Sequence, residues 1–311
     1  MKKIVLLSLF IFSLFSAFNS KAQQLPMYSQ YLWNDYVLNP AYTGASEFNP
    51  IQLSYRKQWM GFNGSPETIT LGGHAAINKS MAIGGMVFKD ATGGAFSQTG
   101  ALLNYAYRIK LDRSSVLAFG LSLQLNQYNF NVNKINPLNT TDAALQTGSQ
   151  TSIAPDASFG MLYQFKQKFK IGVAVNQLMQ YQLKKISEFG LSSNQLIRHY
   201  NLMCSYNIKI NQEFAIEPSI LLKATGQTPV QADMSVKAEY RKLIWLGLTY
   251  RPQDAVVLML GFQYHNMILC YSYDATLSVI RTYSTGSNEI LIGYRIMSKK
   301  AHNKFLSQEN R

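Results

Sequence analysis

The sequence predicts an all-β fold, an antiparallel transmembrane β-barrel of about 14 strands with a short N-terminal helical or extended segment. Three observations predict it. Apolar and polar residues alternate with period two in segment after segment, the connections alternate between short and long, and the composition is poor in charge but rich in aromatic residues. Of 311 residues, 14% are charged and 13% aromatic, with 19 Tyr and 17 Phe. A soluble surface needs about a quarter of its residues charged. A membrane barrel instead needs apolar residues outward, polar ones inward and aromatic girdles at both interfaces.

At the N-terminus, Lys2 and Lys3 precede an apolar run from Ile4 to Phe18, and Ser20-Lys21-Ala22 follows it. This is the pattern of a secretory signal peptide over residues 1–22, cleaved after Ala22. The run falls short of the roughly 20 residues that an uncleaved spanning helix requires, and no later stretch of about 18 apolar residues follows. Residues 23–48 form an N-terminal periplasmic or plug segment. Pro26 lies near its start, Tyr28, Leu32 and Tyr36 recur at helical spacing, and Asn39-Pro40 stops a helix. It reads either as a short amphipathic helix in or under the periplasmic mouth or as an extended leader onto the first strand.

Residues 49–297 form the barrel. In Val230 to Tyr240, the residues Val230, Ala232, Met234, Val236, Ala238 and Tyr240 share one face, and Gln231, Asp233, Ser235, Lys237 and Glu239 share the other. Each residue step in a strand reverses the side-chain direction, so this is a strand with one apolar and one polar face. Phe214 to Thr225 repeats it, with Phe214, Ile216, Pro218, Ile220 and Leu222 against Glu217, Ser219 and Lys223. Val116 to Tyr128 does so again, with Leu117, Phe119, Leu121, Leu123 and Leu125 against Gly120, Ser122, Gln124 and Asn126. Fourteen strands are expected, starting near Pro50, Glu67, Met81, Phe96, Ser115, Ala154, Phe169, Leu196, Phe214, Val230, Leu243, Ala255, Met267 and Glu289. An even count closes a bacterial barrel.

Short turns fall at Asn78-Lys79, Asp112-Arg113, Gln167-Lys168, Asn211-Gln212, Arg241-Lys242 and His265-Asn266. Longer links span Asn129 to Ile153, Leu178 to Gln195 and Ala275 to Asn288. Short periplasmic turns with longer outer loops are the outer-membrane arrangement, so both barrel ends are expected to face the periplasm. Residues 298–311, with Lys299, Lys300, Lys304 and Arg311, read as a basic periplasmic tail.

The formal charge is +13; loss of Lys2, Lys3 and Lys21 with the signal leaves +10 (13 − 3). The charge is scattered along strands and turns without a basic helix or nucleic-acid motif, so anionic lipid or an acidic partner is expected and nucleic acid is not. Cys204 falls on an outer face and Cys270 on an inner one, so no disulfide is expected. Of the four histidines, His74 and His199 point inward, His265 lies in a turn and His302 in the tail, none with zinc-ligand spacing. His199 shares its inner face with Asn201 and Ser205, but side chains two residues apart along a strand are about 7 Å distant, too far for a nucleophile–base pair. No enzyme activity, cofactor or metal is expected. The lumen-lining charges Glu217, Lys223, Asp233, Lys237 and Glu239 either line a pore or peptide site, or pair across strands to fill a closed lumen.

Three separated blocks carry a family resemblance. Gln24-Leu25-Pro26-Met27-Tyr28-Ser29-Gln30-Tyr31, Asn34 and Leu38-Asn39-Pro40-Ala41-Tyr42-Thr43-Gly44 open it. Arg56, Gln58, Trp59, Gly61, Gly64, Pro66 and Thr68 follow. Tyr271-Ser272-Tyr273-Asp274 and Gly286-Ser287-Asn288-Glu289-Ile290 close it. Together they resemble the PorP/SprF family of outer-membrane proteins associated with the type IX secretion system of Bacteroidetes. Asn288 departs from the pattern, in which a histidine precedes the glutamate.

The resemblance implies a barrel that belongs to the secretion or gliding machinery and meets its periplasmic proteins, or one that docks, stabilises and anchors the C-terminal domain of a secreted adhesin. Candidate partner-binding residues are Trp59, Phe62 and Asn63 in the first outer loop, with Tyr273, Asp274 and Glu289 around the last. Trp59 serves equally as part of the aromatic belt. A passive porin or hydrophobic-solute channel is the alternative.

Overall fold

The structure, a computed structural model, describes residues 25–61, 63–131, 149–183 and 195–296. Phe62, His302, the signal segment 1–22, the tail 298–311 and parts of the two longest links fall outside the described residues.

Fourteen antiparallel rungs close into a ring. In chain order they are β1 (Asn49–Lys57), β2 (Glu67–Ala76), β3 (Met81–Thr92), β4 (Phe96–Lys110), β5 (Ser115–Asn131), β6 (Ser149–Phe165) and β7 (Phe169–Asn176), then β8 (His199–Tyr206) continued past Asn207 by β9 (Ile208–Lys209) as one rung. β10 (Phe214–Thr225), β11 (Gln231–Tyr240), β12 (Ile244–Arg251), β13 (Ala255–Tyr264), β14 (Met267–Thr276) and β15 (Ser287–Ile296) complete it. Each strand pairs with its sequence neighbours, and β15 closes the ring on β1 with Leu53 opposite Ile292. Closure leaves no strand edge along the wall, the condition for a sheet in lipid.

The alternation is present along the wall. Leu103 is 74% exposed and Leu123 60%, while Arg56 is 2% and Asp233 0% exposed on inner faces. The apolar side chains therefore face outward and the charges inward, the reverse of a soluble core. Cys204 faces outward and Cys270 inward, both as free thiols.

The short turns have a shared chemistry. Asn78 Oδ1 accepts from the N–H of Ser80 and Met81, Asp112 Oδ1 from Ser114 and Ser115, and Asn211 Oδ1 from Glu213 and Phe214. These Asx turns satisfy the backbone donors that a reversing chain exposes. Arg241 and Lys242, at φ 51° and 55°, supply the left-handed pair of a type I′ hairpin.

One expectation needs correction. Strand pairing between β5 and β6 runs out to Asn131 opposite Ser149, so the ends of the expected link from Asn129 to Ile153 are strand. The N-terminal segment, expected as helical or extended, forms no α-helix among its described residues. Gln30–Leu32, Asp35–Val37 and Pro40–Tyr42 are single 3-10 turns, because the segment is surrounded by wall on every side and a one-faced helix would leave most of that wall unfilled. Among the described residues no helix is long and apolar enough to cross a membrane.

Candidate functional site at the plug and lumen wall

The N-terminal segment threads the lumen from one mouth to the other. Met27 lies against Gln58 and Arg251 at the long-loop end, with its Sδ 3.7 Å and 3.6 Å from their nitrogens. At the short-turn end, Gly44 N donates to His74 Nδ1 at 2.9 Å, Arg108 donates to the carbonyl of Thr43, and Glu47 pairs with Lys242. The sequence reading took residues 23–48 as a periplasmic or plug segment in or under the periplasmic mouth; the contacts of its described residues run along the inner wall from one mouth to the other.

A ladder of buried charge fastens it. Arg56 Nη2 meets Asp274 Oδ2 at 2.7 Å and Arg56 Nη1 meets Glu289 Oε2 at 3.4 Å. Ser29 joins both acids, donating its N–H to Glu289 at 2.7 Å and its hydroxyl to Asp274 at 2.8 Å. Arg251 continues the ladder to Asp274 at 3.6 Å, Asp254 at 3.2 Å and Asp233 at 3.0 Å, and Lys223 pairs with Asp233 at 3.0 Å. Opposite charges alternate along the row, which makes their burial tolerable.

A second pair joins Lys237 to Glu217 at 2.8 Å, beneath Trp33. Of the two readings for the lumen charges, these contacts are cross-strand ion pairs. Glu239 lies on the same inner face toward the short turns.

Aromatic and glycine positions do the rest. The Tyr31 hydroxyl bonds Ser235 at 3.0 Å and the Tyr28 hydroxyl bonds Thr70 at 3.1 Å. Burial pushes both phenols well above their ordinary range, so they stay protonated. Trp33 stacks on Trp245 with centroids 5.4 Å apart, a contact of about 0.5–1.5 kcal/mol beyond its buried area. Asn39 donates to the carbonyls of Met161 and Val173, both at 3.1 Å. The wall admits this turn only where side chains are missing: a Cβ on Gly120 would stand 2.2 Å from Pro40 C, and one on Gly160 1.9 Å from Asn39 Oδ1.

Of the expected partner-binding residues, Asp274 and Glu289 are 2% and 1% exposed and belong to the ladder, so they face the plug and not the exterior. Trp59, Asn63 and Tyr273 lie at the long-loop rim. There Met60 N donates to Gly286 O at 2.8 Å, Thr285 N donates to Met60 O at 2.7 Å, and the Tyr273 hydroxyl donates to Thr285 O at 2.6 Å, joining the first and last loops. Asn288 bonds the Tyr271 hydroxyl and reaches Met60 Sδ at 3.4 Å, so the position that departs from the family pattern belongs to the rim. His199, Asn201 and Ser205 follow one strand without converging, and Asn201 holds the carbonyl of Leu38 at 3.2 Å.

Sequence reasoning missed Arg251. Alternation from Trp245 through Gly247 and Thr249 assigns it to the inner face, and that signal was available in the sequence.

Among solved structures, a monoaromatic hydrocarbon channel, CymD, is similar over 89% of this chain and 94% of its own, with 12% identity and a TM-score of 0.50. A FadL homologue of Pseudomonas aeruginosa matches over 82% and 91%, with 11% identity and a TM-score of 0.46. The toluene transporter TodX of Pseudomonas putida matches over 91% and 96%, with 9% identity and a TM-score of 0.46. At such identities the CymD likeness bears on the fold alone, that of an outer-membrane barrel, and the other two add nothing to it. No curated protein matches the chain. The family described as type IX secretion system membrane protein PorP/SprF matches residues 20–294, and the chain belongs to that family.

Proposed function

We propose that this protein is a non-enzymatic docking barrel of the outer membrane. It receives the C-terminal domain of a type IX secreted adhesin at the mouth formed by its long loops, stabilises it and holds it at the cell surface, with both strand ends and the short turns in the periplasm. Trp59, Asn63 and Tyr273 on the joined rim, with Phe62 between the first two, are the contacts we assign to the partner; aromatic anchors are frequent in such interfaces.

The observation that supports docking over free conduction is the plug, wired to the wall by Arg56, Asp274 and Glu289. A porin of similar size needs an open lumen. Deleting the gene tests the role: loss of one adhesin from the cell surface, with other export intact, is expected. Failure of all type IX cargo would move the protein into the core secretion and gliding machinery, meeting periplasmic components through its short-turn face. Conductance of the purified barrel tests the porin alternative, which requires a steady open channel.

A further inference from the structure

On the outside of the wall, β1 to β5 form an apolar groove of about 760 Å³ lined by Ile51, Leu71, Val87, Leu103, Leu123 and Leu125, within the range of ordinary ligand sites at roughly 300–1,000 Å³. Its floor is low because Gly73 and Gly85, partners across β2 and β3, carry no side chain. Strand pairing fixes what borders it. Val87 sits opposite Leu71 and Ala101, and the next outward row toward the long loops is Ile69, Lys89, Thr99 and Gln127. That row is two residues further along each strand, about 7 Å away. Lys89, Thr99 and Gln127 are all exposed. Among the described residues Lys89 has no ion pair, and the one carboxylate on the outer face of the strands, Glu67, already holds Lys57 at 2.6 Å.

We propose that this groove holds one anionic lipid, with an acyl chain between Leu71, Val87 and Leu103 and the phosphate headgroup on Lys89, Thr99 and Gln127. Position and charge select this occupant. The groove opens on the outward apolar face of a membrane barrel, so hydrocarbon is what covers it. A lysine at the edge of that face gains by meeting a lipid phosphate at headgroup level. The Thr99 hydroxyl and the Gln127 amide beside it are further donors to phosphate oxygens. A second copy of the chain is the rival occupant. Its outer wall would bring Lys89 only Glu67, which Lys57 already occupies, and an unpaired lysine pressed into an apolar contact is costly. The site lies outside the lumen, away from the docking rim, and does not depend on the partner proposed there.

The test is native mass spectrometry of the purified full-length barrel in detergent, titrated with dioleoyl phosphatidylglycerol and, separately, with dioleoyl phosphatidylcholine, which has the same chains and no net charge. One tightly held phosphatidylglycerol per barrel is expected, with phosphatidylcholine retained more weakly. Lys89→Gln is expected to weaken phosphatidylglycerol binding about fivefold, the effect of one cation near an anionic surface. Gly85→Leu is expected to remove the site. A Cβ there meets Leu102 O at 3.5 Å and Leu103 Cδ2 at 3.6 Å, ordinary contacts, so the new side chain enters the groove without displacing the wall. If heat-modifiable migration shows that Gly85→Leu does not fold, Lys89→Gln decides alone. Lys79→Gln, which removes a cation at the short-turn end, is the control and is expected to leave retention unchanged. Equal retention of the two lipids, binding unchanged in Lys89→Gln, an equal loss in Lys79→Gln, or a dimer that Gly85→Leu dissociates overturns the proposal.

Discussion

Arg56 on the first strand and Asp274 on the fourteenth rung's neighbour meet at 2.7 Å inside the barrel, and the plug residue Ser29 bonds the same carboxylate oxygen at 2.8 Å. One contact therefore links the first strand, the wall across the closing seam and the plug. Arg56→Ala leaves Asp274 and Glu289 buried without that partner, a loss of about 3–5 kcal/mol. Thermal unfolding in detergent is expected to show it, together with new protease cleavage within residues 25–48. An unchanged midpoint would mean that the ladder does not hold the plug.

Close approach of backbones gives a second outcome. Gly160→Ala directs a methyl group into Asn39 Oδ1, and Gly120→Ala directs one into Pro40. Both are expected to loosen the plug and raise single-channel conductance, with destabilisation of about 1–3 kcal/mol. Gly226→Ala has open space around it and is the control, expected to stay within about 0.5 kcal/mol.

Orientation can be read from labelling. Leu25 lines a lumen cavity beside Thr228 and Pro229 at the long-loop mouth, while Asn211 lies in a short turn at the other end. An epitope inserted before Leu25 is expected to bind antibody on intact cells, and one at Asn211-Gln212 only after permeabilisation. The opposite pattern would invert the proposed orientation.

Asp35 of the plug gives a pH dependence. Burial pushes its carboxyl from 3.8 up to about 6, opposed by Lys170 and Lys237 and reinforced by Glu217. The folded state thus binds the proton more tightly than the unfolded chain, so this contribution to stability falls as pH rises from about 4 to about 6 and is level above. Asp35→Asn is expected to flatten that slope in unfolding midpoints measured between pH 4 and pH 7.5. A slope that survives the substitution would locate the effect elsewhere.

Nearly all strands were legible because a strand's face pattern is local. Val230 to Tyr240 reveals both faces without reference to any neighbour, and observed β11 begins one residue later, at Gln231. Turns such as Asn78-Lys79 were legible for the same reason, since an Asx turn is written within four residues. The plug was not. Tyr28, Leu32 and Tyr36 have helical spacing, yet the segment makes single 3-10 turns, with Tyr28 and Tyr36 both meeting β2, at Thr70 and His74, and Tyr31 reaching β11 on another part of the wall.

Asp274 and Glu289 show the same division. The sequence by itself determined that both lie on polar strand faces, within motifs shared with a family. Only the closed ring decided that those faces point at Arg56 and Ser29, because a partner more than 200 residues away in the chain becomes a neighbour only when β15 meets β1 and the N-terminus is drawn through the lumen. Period and composition are properties of short stretches of chain and survive in the sequence. The meeting of distant charges is a property of closure, and it exists only in the folded barrel.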